Sequence, residues 1–179
     1  MDDEHLLETL REAQRFGFFG PGPIDSAAAH SRRFVEALGQ PGPAARVVDL
    51  GSGGGLPGLV MAAAWRQTEI LLIDRRQKRT DFLTRAVTRL GYGHVTVRCA
   101  DVADLVAEVA SAAAAPFDIV TARGFGPPED TLRTAVKLLS ATGQVAISEP
   151  PDGRDWRPDL LAELGLHSVR YPAVRVFRR

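Results

Sequence analysis

The chain has 179 residues, 45% hydrophobic and 25% charged, enough for one domain with a substantial core. Lys plus Arg and Asp plus Glu are both 22, so the formal net charge is zero, and only a local basic face would speak for a nucleic-acid partner. Cys99 is the single cysteine, which excludes an internal disulfide and a cysteine-based zinc site. Charges interrupt every apolar run before it reaches membrane-spanning length. The acidic start, Met-Asp-Asp-Glu-His, lacks a signal-peptide pattern, so a cytoplasmic protein is expected.

In residues 5–16, Leu6, Leu7, Leu10, Ala13 and Phe16 fall at helical spacing. A Gly/Pro-rich turn follows over 17–23, and Asp25 or Ser26 is the expected cap of a second helix ending near Leu38. Gly39 to Pro43 breaks the chain. Residues 1–43 thus read as a helical prefix packed on a main domain at 44–179, since the prefix is too short to bury a core alone. From Arg46 strands and helices alternate. Strands are expected at 46–50, 69–74, 94–100, 117–123 and 143–149. Helices are expected after Pro57 and over 76–90, 129–140 and 158–164, and residues 101–115 read as a short helix grading into an alanine-rich loop. The last segment, "HSVRYPAVRVFRR", reads as two extended pieces broken at Pro172. This alternation predicts an α/β, Rossmann-like, doubly wound and mostly parallel seven-stranded sheet with an antiparallel edge.

The residues "DLGSGGGLPG" (49–58) follow the first strand. A G-x-G-x-x-G match falls at Gly53, Gly55 and Gly58, but the strand ends at Leu50, so the ligand-facing series starts at Gly51, Ser52 and Gly53. In that frame Leu56 stands where a dinucleotide fingerprint needs its third glycine. Three acids follow strand ends: Asp49, Asp74 and Asp101. Asp49 would repel a pyrophosphate but suits an ammonium group. Asp74 is placed to accept ribose hydroxyls, or to cap the next helix. Asp101 is placed near an adenine edge, or as an N-cap. This set favours S-adenosylmethionine over NAD as the bound cofactor.

At these residues the chain resembles the GidB/RsmG type of bacterial small-subunit ribosomal RNA methyltransferases. The stretches that carry the resemblance are "VVDLGSGGGLPGLVMA", "LLIDRRQKRTDFLTRAV", "FDIVTARGFG" and the terminal "AVRVFRR". The resemblance covers residues 46–148 well and the ends poorly. It implies a class I methyltransferase-like fold and transfer of a methyl group from S-adenosylmethionine to N7 of a guanine in small-subunit rRNA. It also implies that Gly51 and Leu56 touch the cofactor, that Val102 and Ala103 line its adenine end, and that Arg123 is a cofactor-site arginine. Arg75, next to Asp74, joins this set.

The sequence departs from the family in its N-terminal region, where only His30 stands as a counterpart of a family histidine. It departs again at Ala103, where the family has an acid, and at Ser148-Glu149-Pro150-Pro151, where the family has Lys-Gly. Glu149 is thus expected on the substrate side, where it would oppose RNA phosphates. Guanine N7 needs no general base, and Arg123 and Phe125 are candidates to orient or stack on the target base. Arg75, Arg76, Lys78, Arg79, Arg85 and Arg89 form either an RNA-backbone face or a solvated helix surface. Two other readings remain open at this point: a small-molecule methyltransferase, with Phe18-Phe19 covering the acceptor, and a non-catalytic S-adenosylmethionine-binding protein.

Overall fold

A computed structural model describes residues 3–179. The first two residues of the prefix, and their part in the acidic start, lie outside the described residues. The strands β1 (Arg46–Leu50), β2 (Glu69–Asp74), β3 (Val95–Cys99), β4 (Phe117–Ala122), β5 (Leu139–Ser148), β6 (His167–Tyr171) and β7 (Val174–Arg178) form one sheet. Its order is β3-β2-β1-β4-β5-β7-β6. β1 to β5 run parallel to one another, while β7 runs antiparallel to both β5 and β6. The reversed strand therefore sits one place in from the edge, with β6 outside it. Pro172 and Ala173, the latter at φ 65°, make the tight reversal between these last two strands.

The helices α1 (Asp3–Arg15), α2 (Ile24–Leu38), α3 (Gly58–Ala64) and α4 (Gln77–Leu90) cover one face. The helices α5 (Val102–Ala110), α6 (Pro128–Lys137) and α7 (Pro158–Glu163) cover the other. Central strands buried on both faces read as unbroken apolar runs. In β1, Val47 joins the core under α1–α4 and Val48 joins the core under α5–α7, and both are fully buried. The prefix shares this first core: Leu6, Leu10, Ile24 and Phe34 pack with Met61, Trp65 and Phe82.

Two details of the sequence expectation change. α2 starts at Ile24 after Pro23, without a side-chain cap, so Asp25 lies inside the first turn and not ahead of it. Burial of Ile24 in the core draws the helix start back to Pro23, whose φ of −60° suits it. β5 is longer than expected, because Leu139 pairs with Phe117 and a register shift in the β4–β5 ladder absorbs the residues up to Gln144.

Candidate cofactor and methyl-transfer site

Parallel sheets bind ligands beyond the carboxyl ends of their strands, where the strand order reverses. Here that point lies between β1 and β4, and the glycine turn stands on it. The turn is tied down from below. Ser52 N–H donates to the Ile73 carbonyl (3.0 Å), Gly55 N–H to the Ser52 carbonyl (2.7 Å), and Ser52 Oγ to the Asp49 carbonyl (2.8 Å). Gly51 has φ +65°, and a Cβ there would lie 2.8 Å from Phe125 Cδ2, so both conformation and space demand glycine. A Cβ on Gly54 would lie 2.5 Å from the Phe19 ring, so that ring is seated directly on the turn.

Two cavities open on either side of the turn. One of about 350 Å³ is lined by residues after four strand ends: Gly51, Asp74, Arg75, Asp101, Val102 and Phe125, together with Arg76 and Arg79. The other, of about 420 Å³, is lined by Gly51 to Gly54, Leu56, Arg79 and Arg123, and is roofed by the segment from Phe18 to Ile24. Gly51, Arg79 and Gly124 border both, so the two form one trough across the turn.

Asp74 organises the first cavity. Its Oδ2 accepts from Gly53 N–H (3.0 Å) and its Oδ1 from Arg76 N–H (2.9 Å), while Arg79 Nη1 stands 3.4 Å from Oδ2. The carboxylate therefore clamps the turn and the start of α4 together, and Oδ1, with a single donor, keeps a lone-pair direction for a ligand. Asp101 holds both of its expected positions. It is the N-cap of α5, accepting from Ala103 N–H at 2.9 Å, and it lines the cavity. Ala103 itself lines neither cavity, since the helix turns its side chain to solvent; only its N–H takes part, through Asp101.

Asp49 also lines neither cavity. It is buried beneath the turn, where Oδ1 accepts from Thr121 Oγ1 at 2.8 Å and Oδ2 has no hydrogen-bond partner. Burial pushes its pKa up to about 6, against the Thr121 hydrogen bond, the adjacent Ser52 hydroxyl and Gly58 N–H, and the nearby Arg123 charge. It is still about nine-tenths ionised at pH 7. Its negative charge reaches the trough through the turn, not by contact.

Arg123 forms an ion pair with neither Asp101 nor Asp74. Its Nη1 donates to the Ala27 carbonyl and to Ser31 Oγ, both at 3.0 Å, so it ties the end of β4 to α2. Burial lowers its pKa and Asp49 opposes this, but a guanidinium keeps its charge at any physiological pH. His30 has a buried Nε2 without a partner, and burial together with the Arg123 charge lowers its pKa. Glu149 is a correction. It points inward, 3% exposed, and accepts from Trp156 Nε1 at 2.7 Å, so it does not oppose phosphates from the surface.

Sequence reasoning missed Arg79 as a wall of both cavities. Its position five residues after Asp74, on the first turn of α4, was the available signal. It also missed how the α1–α2 segment becomes a roof. Gln14 Nε2 donates to the carbonyls of Gly20 (2.9 Å) and Gly22 (2.7 Å), and a single glutamine inside a helix gives no hint of that. Among the described residues no group of His, Cys, Asp and Glu is arranged to hold a metal ion, and no helix is long and apolar enough to cross a membrane.

The same fold is found in a solved structure, and the sequence is similar to known proteins. A methyltransferase of Aquifex aeolicus, described as SAM-dependent, superposes with a TM-score of 0.63 over 94% of this chain and 97% of its own, at 13% identity, which shows a shared fold. The ribosomal RNA small subunit methyltransferase G of Acidothermus cellulolyticus is 34% identical over 162 residues, 89% of this chain and 68% of the relative. That of Ralstonia nicotianae is 35% identical over 123 residues, 68% of this chain and 52% of the relative, so the chain spans about half the length of the latter. The family model GidB, rRNA small subunit methyltransferase G, matches residues 31–149, which carry the turn, Asp74, Asp101 and Arg123. The chain belongs to the GidB family.

Proposed function

We propose that the protein methylates N7 of a guanine in small-subunit ribosomal RNA, with S-adenosylmethionine as donor, in the cytoplasm. The observation that carries this reading is the trough across Gly51, clamped by Asp74, in a chain of the GidB family. The residues present fit the donor. The first cavity offers the Asp74 carboxylate to ribose hydroxyls, and Asp101 and Val102 to an adenine edge. The second offers the turn at Gly51, Ser52 and Gly53, the apolar Leu56, and a roof with Phe19 seated on Gly54. The buried Asp49 charge disfavours a phosphate there and favours an ammonium group.

When bound, S-adenosylmethionine supplies a sulfonium methyl that the lone pair of N7 takes by direct displacement, the C–S electron pair returning to sulfur with no proton to remove. The chain's work is alignment and exclusion of water. Arg123 and Phe125 flank Gly51 from the loop after β4, so this loop orients the acceptor base. Because Glu149 is buried, its carboxylate does not face an RNA backbone at the end of β5. The prefix 1–43 serves the domain 44–179 as the roof of the acceptor side.

Calorimetry with S-adenosylmethionine and NAD side by side tests the donor. S-adenosylmethionine is expected to bind one to one and NAD not at all. Tight NAD binding without any response to S-adenosylmethionine contradicts the proposal.

A further inference from the structure

Beside the trough, and sharing Arg76 with its first cavity, lies a surface feature to which the methyl-transfer reading gives no role. Phe16, just after α1, is 56% exposed, the most exposed large hydrophobic side chain among the described residues. Its ring is held in place. The centroid lies 5.9 Å from Phe18 and 6.0 Å from the buried Phe82, and Phe18 meets Phe82 edge-on at 5.6 Å. Grooves of about 320 and 440 Å³ flank the ring. Arg76, Lys78 and Arg85 line them, are exposed, and have no ion pair among the described residues. Asp81 is the acid lining these grooves, and its Oδ1 accepts from Gln77 Nε2 at 2.6 Å.

We propose that Phe16 and these three cations form a docking subsite for a single-stranded RNA segment next to the target guanine. One base stacks on the Phe16 ring while backbone phosphates lie against Arg76, Lys78 and Arg85. This rests on the rRNA reading above. An aromatic face fixed among unpaired cations matches a base and its phosphates together. An acidic peptide would use the cations alone, and a membrane surface needs a wider apolar face than a single ring. Position agrees as well: the groove containing Arg76 shares Phe18 and Arg79 with the acceptor-side cavity, so a strand lying on it leads into the trough.

The test is fluorescence anisotropy with a labelled single-stranded RNA dodecamer of mixed sequence and with its abasic counterpart, on the full chain. Phe16→Ala is expected to weaken RNA binding about tenfold and Phe16→Trp to preserve it. Abasic RNA should bind wild type and Phe16→Ala alike. The double variant Lys78→Gln, Arg85→Gln should lower the slope of log affinity against log salt by about 1.4, at roughly 0.7 per phosphate contact. The indole introduced by Phe16→Trp should be quenched on adding the RNA. Equal affinity of wild type and Phe16→Ala, equal affinity of wild type for the intact and abasic chains, or no RNA binding by wild type overturns the proposal. Calorimetry with S-adenosylmethionine on the same variants separates the two readings. Unchanged cofactor binding with unchanged RNA binding defeats the stacking subsite alone, whereas a wild type blind to S-adenosylmethionine defeats the donor reading.

Discussion

At the scale of single residues, the two buried acids beside the glycine turn do different work. Asp74 is shared between the turn and the trough, through Gly53 N–H and Arg76 N–H. Asp74→Ala is expected to weaken S-adenosylmethionine binding by about 1–3 kcal/mol and also to lower stability, because two amides lose their acceptor. Asp74→Asn keeps an acceptor oxygen and so more of the stability, yet still loses affinity. Calorimetry beside thermal unfolding reads both, and unchanged affinity in folded Asp74→Asn would confine Asp74 to the turn. Asp49 acts on stability. Below about pH 3.8, its ordinary value, both folded and unfolded chains hold its proton and it costs nothing. As pH rises to about 6 the unfolded chain releases that proton while the folded chain retains it, so stability falls through this window. The loss is complete above it, at about 3 kcal/mol. Asp49→Asn should flatten this fall and be the more stable form at pH 8, as urea unfolding across pH would measure. A variant that keeps the wild-type slope between pH 4 and 6 would refute the assignment.

At the scale of elements, the prefix is fastened to the sheet by arginines. Arg123 donates to α2 at Ala27 and Ser31, and Arg89 of α4 pairs with Glu12 of α1 at 2.7 Å. Arg123→Ala should cost about 1–3 kcal/mol of stability, because it removes a charged donor from two acceptors at the edge of α2. It should also move the Asp49 midpoint upward, since the neighbouring cation goes. An unchanged urea midpoint would show that α2 is held by its apolar face alone. Arg89 and Arg79 also show why the basic face of α4 was readable only as an alternative. The same run of cations contains three that line the trough (Arg75, Arg76 and Arg79), one that braces α1 (Arg89), and three that flank Phe16 without an ion pair among the described residues (Arg76, Lys78 and Arg85), Arg76 belonging to both places. Spacing alone places them on a helix but does not tell these roles apart, since each depends on what packs opposite.

At the scale of the whole molecule, the sheet and its switch point were readable because parallel strands write themselves as short apolar runs ending in glycines and acids. β1 and β2 have the limits expected from "RVVDL" and "EILLID". What local sequence did not carry was long-range: Glu149 turned inward onto Trp156, Asp49 sealed under the turn, and the segment 18–24 folded over as a roof. Asp49 and the roof depend on partners far along the chain, and Glu149 on the way the loop after β5 brings Trp156 back, seven residues on. The turn and the acids around it speak for the donor, whereas the roof and the surface at Phe16 speak for the acceptor. The most direct test therefore joins them. Small ribosomal subunits from a strain lacking its own guanine-N7 methylation are incubated with the protein and methyl-labelled S-adenosylmethionine, and the rRNA is mapped by strand scission at N7-methylguanine. The account predicts label at one guanine of the small-subunit rRNA, open to that scission. Intact S-adenosylmethionine binding with no label in the RNA, or label at an atom other than N7, would contradict it.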